Sequence, residues 1–221
     1  HTRIYQCDWS SDVCSSDLQR HRTLSILLSL LLLVSGGLVF WLASPKPTER
    51  LGLLHALTGP MAISENPMIE AELLAVEEIN AAGGVNGKKL VVVSKDDSGK
   101  PADAQTAANE LVSSEGVAML AGTFLSNIGL AVSDFANQKK VFFLAAEPLT
   151  DAVTWAKGNK YTFRLRPSNY MQAAMLVEAA AKLPAKRWAT IAPNYEYGQS
   201  AVSVFKKLMS EKRPEIGRAH V

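Results

Sequence analysis

The stretch HALTGPMAISENPMIEAELLAVEEINAAGGVNGKKL, residues 55–90, decides the fold. It predicts a loop, a helix, a glycine turn and the start of a strand. Pro67 suits the first position of a helix, because it has no N–H to lose there. The apolar residues that follow recur every three or four positions and therefore share one helix face: Ile69, Leu73, Val76 and Ile79. The glycine pair at 83–84 ends the helix.

Apolar runs on either side of this helix, at 51–54 and 90–93, predict two strands. A strand, a crossover helix and a second strand form one βαβ unit, which implies a parallel sheet. The loop at 57–65 then follows the carboxyl end of the first strand. Open α/β sheets bind their ligands at that edge.

Further along, strands at 116–121, 141–144 and 161–165 alternate with helices at 101–114, 128–137 and 151–156. Residues 50–165 therefore form a doubly wound α/β lobe, a three-layer α/β/α sandwich with strand order 2-1-3-4-5. Residues 166–214 begin a second α/β lobe, with a helix from Ser168 to Leu183, a strand at 188–192 and a helix at 199–211. One strand and two helices are too few to close a core, so the second lobe is truncated.

Both ends of the chain have an unusual origin. The peptides at 12–18 and 215–221, DVCSSDL and EIGRAHV, can be encoded by one DNA sequence read on opposite strands, and that DNA resembles a sequencing adapter. We expect residues 1–18 and 215–221 to be adapter-derived. Cys7 and Cys14 both lie there, so the remaining chain has no disulfide and no cysteine metal site.

Residues 19–43 form a targeting segment. A short basic stretch precedes twenty mostly apolar residues at 24–43, which is long enough to span a bilayer. A cleaved secretory signal and an uncleaved membrane anchor both fit this pattern, and either predicts export of the following domain to the periplasm. Residues 44–49 form a short linker.

The chain lacks the motifs of the common catalytic sites. It has no phosphate-binding glycine loop, no metal cluster and no nucleophile elbow, and its net charge of +2 comes with no basic stripe for nucleic acid. His55 is the only histidine in the domain; it is either a structural side chain or, in a weak hydrolase hypothesis, the base of a Ser-His-Asp site. These absences favour binding over catalysis, with no cofactor.

Loops at the carboxyl ends of the predicted strands remain as candidate ligand contacts: 58–65, 122–127, 145–150 and 194–198. Helix N-termini at such loops favour an anionic group such as a carboxylate. Ser126 offers a hydroxyl there, and Tyr197 offers a ring face and a phenol from the second lobe. The alternative roles are a helix cap for Ser126 or Thr150 and interlobe packing for Tyr197.

These features resemble the type I periplasmic solute-binding proteins of branched-chain amino acid ABC importers. The resemblance is carried by LTGPMAISENP (57–67), AVEEINAAGGVNGKKL (75–90), GTFLSN (122–127), AAEPLTD (145–151) and NYEYGQS (194–200). It implies two α/β lobes joined by a hinge, with an amino acid clamped between them and an ABC permease as partner. The implied ligand-binding residues are Ser64, Ser126, Ala146, Glu147, Leu149, Thr150 and Tyr197.

Three places depart from the leucine-binding pattern, and one of them is the pair Pro148-Leu149, where a Gly/Ala-Thr pair is frequent. Ser64 stands where an aromatic residue is frequent, and Glu147 is an addition that either contacts a ligand cation or caps the next helix. The phrase MAISE (61–65) also resembles relatives that bind short amides or urea. We therefore expect the substrate-binding component of an ABC importer for an amino acid or related small zwitterion. The alternative is an exported sensory module for amino acids, amides or urea.

Overall fold

The computed structural model describes residues 48–216, and its centre is a five-stranded parallel sheet. The strands are β1 (Thr48–His55), β2 (Lys89–Asp96), β3 (Met119–Gly122), β4 (Phe142–Ala145) and β5 (Thr162–Arg164). They lie in the order β2-β1-β3-β4-β5, and every neighbouring pair is parallel. The predicted doubly wound order is confirmed.

In the described part of the chain, five α-helices connect or follow the strands: α1 (Ala62–Ala81), α2 (Pro101–Ser113), α3 (Ser126–Lys139), α4 (Asn169–Ala180) and α5 (Glu196–Lys212). A short 3-10 helix, Asp151–Val153, stands where a helix at 151–156 is predicted. Among residues 48–216, no helix has both the length and the apolar character that a membrane crossing requires.

The outer parts of the chain lie outside the described residues. This holds for the expected adapter-derived residues 1–18, for the export segment at 19–43, for most of the linker and for residues 217–221. β1 already begins at Thr48, which pairs with Lys89, and Glu49 pairs with Leu90. The last two residues of the linker expected at 44–49 are therefore part of the sheet.

The main core lies between the sheet and the pair α2 and α3. Alternate residues of a strand point to the same face, and Leu54, Leu120 and Phe143 are fully buried in this layer. Gly52 belongs to the same face, where a Cβ atom would already meet side chains of Leu120 and Leu111. Tight packing on this side fixes the carboxyl ends of β1, β3 and β4 relative to one another.

Within the described residues, the opposite face is covered by α1 alone. Val76 is buried, but Leu73 and Ile79 keep 38% and 40% of their surface exposed. The predicted helix face is therefore buried at one of its four positions only. The reason is that α1 lies over β1 and β2, and a groove of about 740 Å³ opens beside it, lined by residues such as Ala121 and Leu144.

Helix α1 begins at Ala62, five residues before the predicted start at Pro67. Pro67 lies inside the helix without breaking it, because its φ is already helical and only a carbonyl of the first turn loses its N–H partner. The Met61 carbonyl accepts from the N–H groups of Ser64 and Glu65, at 2.9 and 3.0 Å. The predicted loop at 58–65 is therefore shorter, and Ser64 is helical.

Residues 165–216 contain α4 and α5, which pack through Val177, Ala180 and Met209. Ser168 caps α4 as predicted, because its Oγ accepts from the Met171 N–H at 3.4 Å. The predicted strand at 188–192 is wrong. A strand requires a ladder partner, and none of the described strands lies beside this segment, where Ile191 is fully exposed.

Candidate functional site

The loops that follow β3 and β4 run side by side beyond the end of the sheet. The Ala146 N–H donates to the Gly122 carbonyl at 3.0 Å, and the Glu147 N–H donates to the Thr123 carbonyl at 3.3 Å. These bonds continue the parallel pairing of β3 with β4 past the last strand residues. They bring the start of α3 next to the loop at 146–150, in which Ala146 is buried.

Ser126 is the first residue of α3 and is only 2% exposed. Its Oγ accepts hydrogen bonds from the N–H groups of Leu149 and Thr150, both at 3.2 Å. It does not cap its own helix. Three predicted site residues, Ser126, Leu149 and Thr150, are thus in direct contact at the N-terminus of α3.

Thr150 links this loop to α5. Its hydroxyl donates to Glu196 Oε1 at 2.6 Å and accepts, at 3.4 Å, from the Ala152 N–H. The second bond is the predicted cap of the short 3-10 helix. Sequence reasoning missed the contact of Glu196 with this candidate site, although an acidic residue in the first turn of a helix, beside Tyr197, is a usable signal.

Tyr197 is not in a loop as predicted, because α5 starts at Glu196 rather than at residue 199. Its carbonyl accepts from Asn169 Nδ2 at 3.2 Å, which ties the first turn of α5 to the first turn of α4. Its ring packs against Tyr195 with a centroid distance of 6.1 Å. Its backbone therefore joins the first turns of α4 and α5, and its side chain is half-buried.

Arg164, at the end of β5, supports the loop at 146–150 from the other side. Its Nη1 donates to the Pro148 carbonyl at 2.7 Å, and its Nη2 donates to the Thr150 carbonyl. Sequence reasoning missed this role, since only the fold shows which carbonyls face the strand end. The loop is thus held between a hydroxyl that accepts from its N–H groups and a guanidinium that donates to its carbonyls.

The short 3-10 helix at 151–153 is capped by Thr150 and not by Glu147. The Glu147 carboxylate forms an ion pair with Arg166, and its side chain is 16% exposed. The pairing compensates the negative charge within the chain itself. It also joins the loop after β4 to the segment that leads out of β5.

The loops after β1 and β2 are tied together at the same edge of the sheet. Asp96 accepts from the Leu57 N–H at 2.9 Å and from the Thr58 hydroxyl at 2.6 Å. Burial alone would raise the pKa of Asp96, but the hydrogen bonds from Thr58, Ser98 and Leu57 lower it. The exposed Ser64 follows in the first turn of α1, beside the buried Glu65.

His55 ends β1 and is 1% exposed. Glu65 Oε2 lies 3.2 Å from its Nδ1, and Glu72 Oε2 lies 3.0 Å from its Nε2. Because both ring nitrogens are engaged, His55 cannot act as the general base of a hydrolase on an external substrate. The two carboxylates also face opposite nitrogens, and no group of metal ligands forms anywhere in residues 48–216.

Comparison with known proteins identifies a matching family and several similar structures. The family model described as periplasmic binding protein matches residues 48–221. Leu/Ile/Val-binding protein homolog 3 of Brucella melitensis is 28% identical over 162 residues, which cover 73% of this chain and 44% of the relative. Leu/Ile/Val-binding protein homolog 7 of Brucella suis is 32% identical over 158 residues, which cover 71% of this chain and 38% of the relative.

Two solved structures are similar along the same part of the chain. The solute-binding protein of an ABC transporter from Rhodopseudomonas palustris, in complex with 3,4-dihydroxybenzoic acid, has a TM-score of 0.67 at 28% identity and covers 75% of this chain and 44% of that one. The branched-chain amino acid transporter substrate-binding protein LivJ from Streptococcus pneumoniae, in complex with isoleucine, has a TM-score of 0.66 at 27% identity and covers 72% and 46%. The chain spans less than half the length of these relatives.

Proposed function

The chain belongs to the periplasmic binding protein family and has its type I fold, and from that premise we propose that it is the substrate-binding component of an ABC importer. The proposed ligand is an amino acid, branched-chain or a related small zwitterion. The protein is exported to the periplasm, binds its ligand in a cleft between two lobes by hinge closure, and presents the closed form to a membrane permease. It needs no cofactor and performs no catalysis.

One observation carries this proposal: two backbone N–H groups converge on a buried hydroxyl at a helix N-terminus. The N–H groups of Leu149 and Thr150 meet Ser126 Oγ at the start of α3. The positive end of the helix dipole and free N–H donors favour a carboxylate. When a ligand binds, the Ser126 hydroxyl can rotate and donate its hydrogen to the ligand carboxylate while its oxygen still accepts from the two N–H groups.

The ligands bound in the two similar structures support a carboxylate. Isoleucine and 3,4-dihydroxybenzoic acid differ in every other group but share this one. We place the carboxylate at Ser126, Leu149 and Thr150, with the backbone of Ala146 and the side chain of Glu147 beside it. Ser64 from α1 and Tyr197 from α5 contact the remainder of the ligand.

Calorimetry on the full-length protein tests the binding. The panel is leucine, isoleucine, valine, a short amide, urea and 3,4-dihydroxybenzoate. We expect one-site binding of at least one amino acid, since it carries the carboxylate that the proposed site receives. Binding of the amide or urea alone would contradict the carboxylate assignment, and no heat from any compound would contradict the function.

The transport role has its own test. The liganded protein is added to membrane vesicles that contain the candidate permease and its ATPase, and ATP hydrolysis is measured. We expect hydrolysis to rise only when both protein and ligand are present. An unchanged rate with a protein that binds its ligand would refute transport and favour the sensory module.

A further inference from the structure

A buried imidazole is clamped between two carboxylates where α1 meets the end of β1. His55 Nδ1 lies 3.2 Å from Glu65 Oε2, and His55 Nε2 lies 3.0 Å from Glu72 Oε2. Glu65 is as deeply buried as His55, at 1% exposure, whereas the Glu72 side chain is 25% exposed. The proposed solute contacts use none of these three side chains.

The two contacts require a charged ring. A neutral imidazole has one N–H donor and one acceptor nitrogen, whereas carboxylates only accept. Both contacts are hydrogen bonds only when His55 is an imidazolium. Burial alone would lower the pKa of His55, but the hydrogen bonds to Glu65 and Glu72 raise it to about 9.

The space around the ring is fitted to it by the neighbouring strands. A Cβ atom at Gly122 of β3 would lie 2.8 Å from His55 Nε2, so only glycine leaves room for the imidazole. The Asp97 N–H, after β2, donates to the His55 carbonyl at 3.0 Å. The titratable groups around the ring are therefore Glu65 and Glu72 from α1 and the buried Asp97, while β3 contributes only Gly122.

Glu65 also holds the backbone that follows His55. Its Oε2 accepts from the Ala56 N–H at 2.9 Å in addition to facing the ring. One carboxylate thereby joins the first residue after β1 to the first turn of α1. This contact therefore joins the two ends of the intervening loop at 57–61. Ser64 directly precedes Glu65 in the chain.

We propose that His55 is a positioning residue: by donating to Glu65 and Glu72 it fixes the first three turns of α1, and Ser64 with them, against the end of β1. Glu65 and Glu72 are seven residues apart, or two helical turns, so two contacts on one ring set both the position and the direction of the helix. The ordering of α1 needs no ligand. The effect of this ordering on ligand affinity rests on the proposed function.

Hydrogen exchange on the full-length protein tests the ordering. In His55→Asn, we expect amides 65–72 of α1 to exchange at least about tenfold faster, with a much smaller change in α2. Leu54→Ala is the matched control, because Leu54 is equally buried on β1 but faces α2 and α3. An equal increase along α1 and α2 in His55→Asn, as expected of a general stabilising role, would overturn the proposal.

Nitrogen NMR measures the protonation state of the His55 ring, which a purely packing role would not determine. We expect both ring nitrogens of wild-type His55 to stay protonated at pH 7.5. Glu72→Gln keeps an acceptor at a partly exposed position and should fold; there the ring should lose its proton at a lower pH. A neutral wild-type ring, or an unchanged midpoint in Glu72→Gln, would overturn the proposal whether or not a ligand is found.

Discussion

Ser126 joins the start of α3 to the loop at 146–150 through two hydrogen bonds to its buried hydroxyl. A small hydroxyl residue before an apolar helix marks a helix start, and its position at a strand end marks a binding edge. Its partners, however, lie 23 and 24 residues further along the chain. No local pattern predicts which N–H groups a buried hydroxyl accepts from, so only the fold identifies the pair.

Replacing Ser126 with alanine should lower both stability and affinity. The substitution leaves the N–H groups of Leu149 and Thr150 buried without an acceptor, which costs about 1–3 kcal/mol. Urea denaturation measures the first effect and calorimetry the second. Ser133→Ala is the control, because the Ser133 hydroxyl is equally buried in α3 and contacts Thr162 at 2.8 Å away from the loop. Equal losses of affinity in both variants would contradict the assignment of Ser126.

Gly122 is the glycine whose replacement should be most damaging at this edge. Its φ is +112°, and an added Cβ would lie 2.4 Å from the Leu54 carbonyl oxygen and 2.8 Å from His55 Nε2. We expect Gly122→Ala to lower the free energy of unfolding by about 3–5 kcal/mol, since backbone atoms must move. Gly116→Ala, with a φ of +63° and open space around it, should cost only about 1–2 kcal/mol. Similar losses in both variants would show that steric fit around His55 is unimportant.

Asp97 should make stability decrease with pH in the acidic range. Burial raises the pKa of Asp97 from 3.8 to about 6. The folded state therefore holds its proton more tightly, and stability present below pH 3.8 is lost as pH rises through about 6. The variant Asp97→Asn keeps the acceptor for the Gly99 N–H. Between pH 4 and 7, its free energy of unfolding should exceed that of the wild type by about 1–3 kcal/mol. Denaturation at a series of pH values measures this; a difference between the two proteins that stays constant with pH would refute it.

At the scale of elements, helices and strands were predictable where the signal lies entirely in the local sequence. The turn after α1 is an example, because the N–H of Gly84 donates to the Ile79 carbonyl at 2.8 Å and the helix stops at Ala81. The start of α1 was misplaced because Pro67 is a start signal that the helix tolerates internally. The strand at 188–192 failed because a strand depends on a partner strand that its own residues do not specify.

The pair α4 and α5 should behave as a unit of lower stability than the sheet. Its buried apolar side chains are only Ala173, Val177, Ala180 and Met209. Met209→Ala removes the largest of them and should speed amide exchange in both helices by an amount equal to about 2–4 kcal/mol. Exchange in the sheet should stay nearly unchanged. Met171→Ala is the control: its side chain is 53% exposed, so exchange should stay nearly unchanged in the helix pair and in the sheet. Equal acceleration in the sheet would show that the two parts unfold together.

At the scale of the whole molecule, the parallel sheet and its order were predictable because alternating strands and helices allow few topologies. The uneven cover of the two sheet faces was not. Sequence gives α1 an apolar stripe, but it does not say how many strands that stripe covers. The groove beside α1 and the hydrogen bonds from Arg164 to the loop at 146–150 both depend on the three-dimensional arrangement, because each involves residues from several elements.

The central claim is that the loop after β4 and the start of α3 form the ligand's carboxylate site. Amide NMR of the full-length protein during titration with isoleucine, or with the panel compound that binds best, tests it most directly. We expect saturable shifts that are largest at Leu149 and Thr150, with the last turn of α2, at the amino-terminal edge of the sheet, as an unaffected reference. Tight binding that leaves these two amides unmoved would contradict the claim.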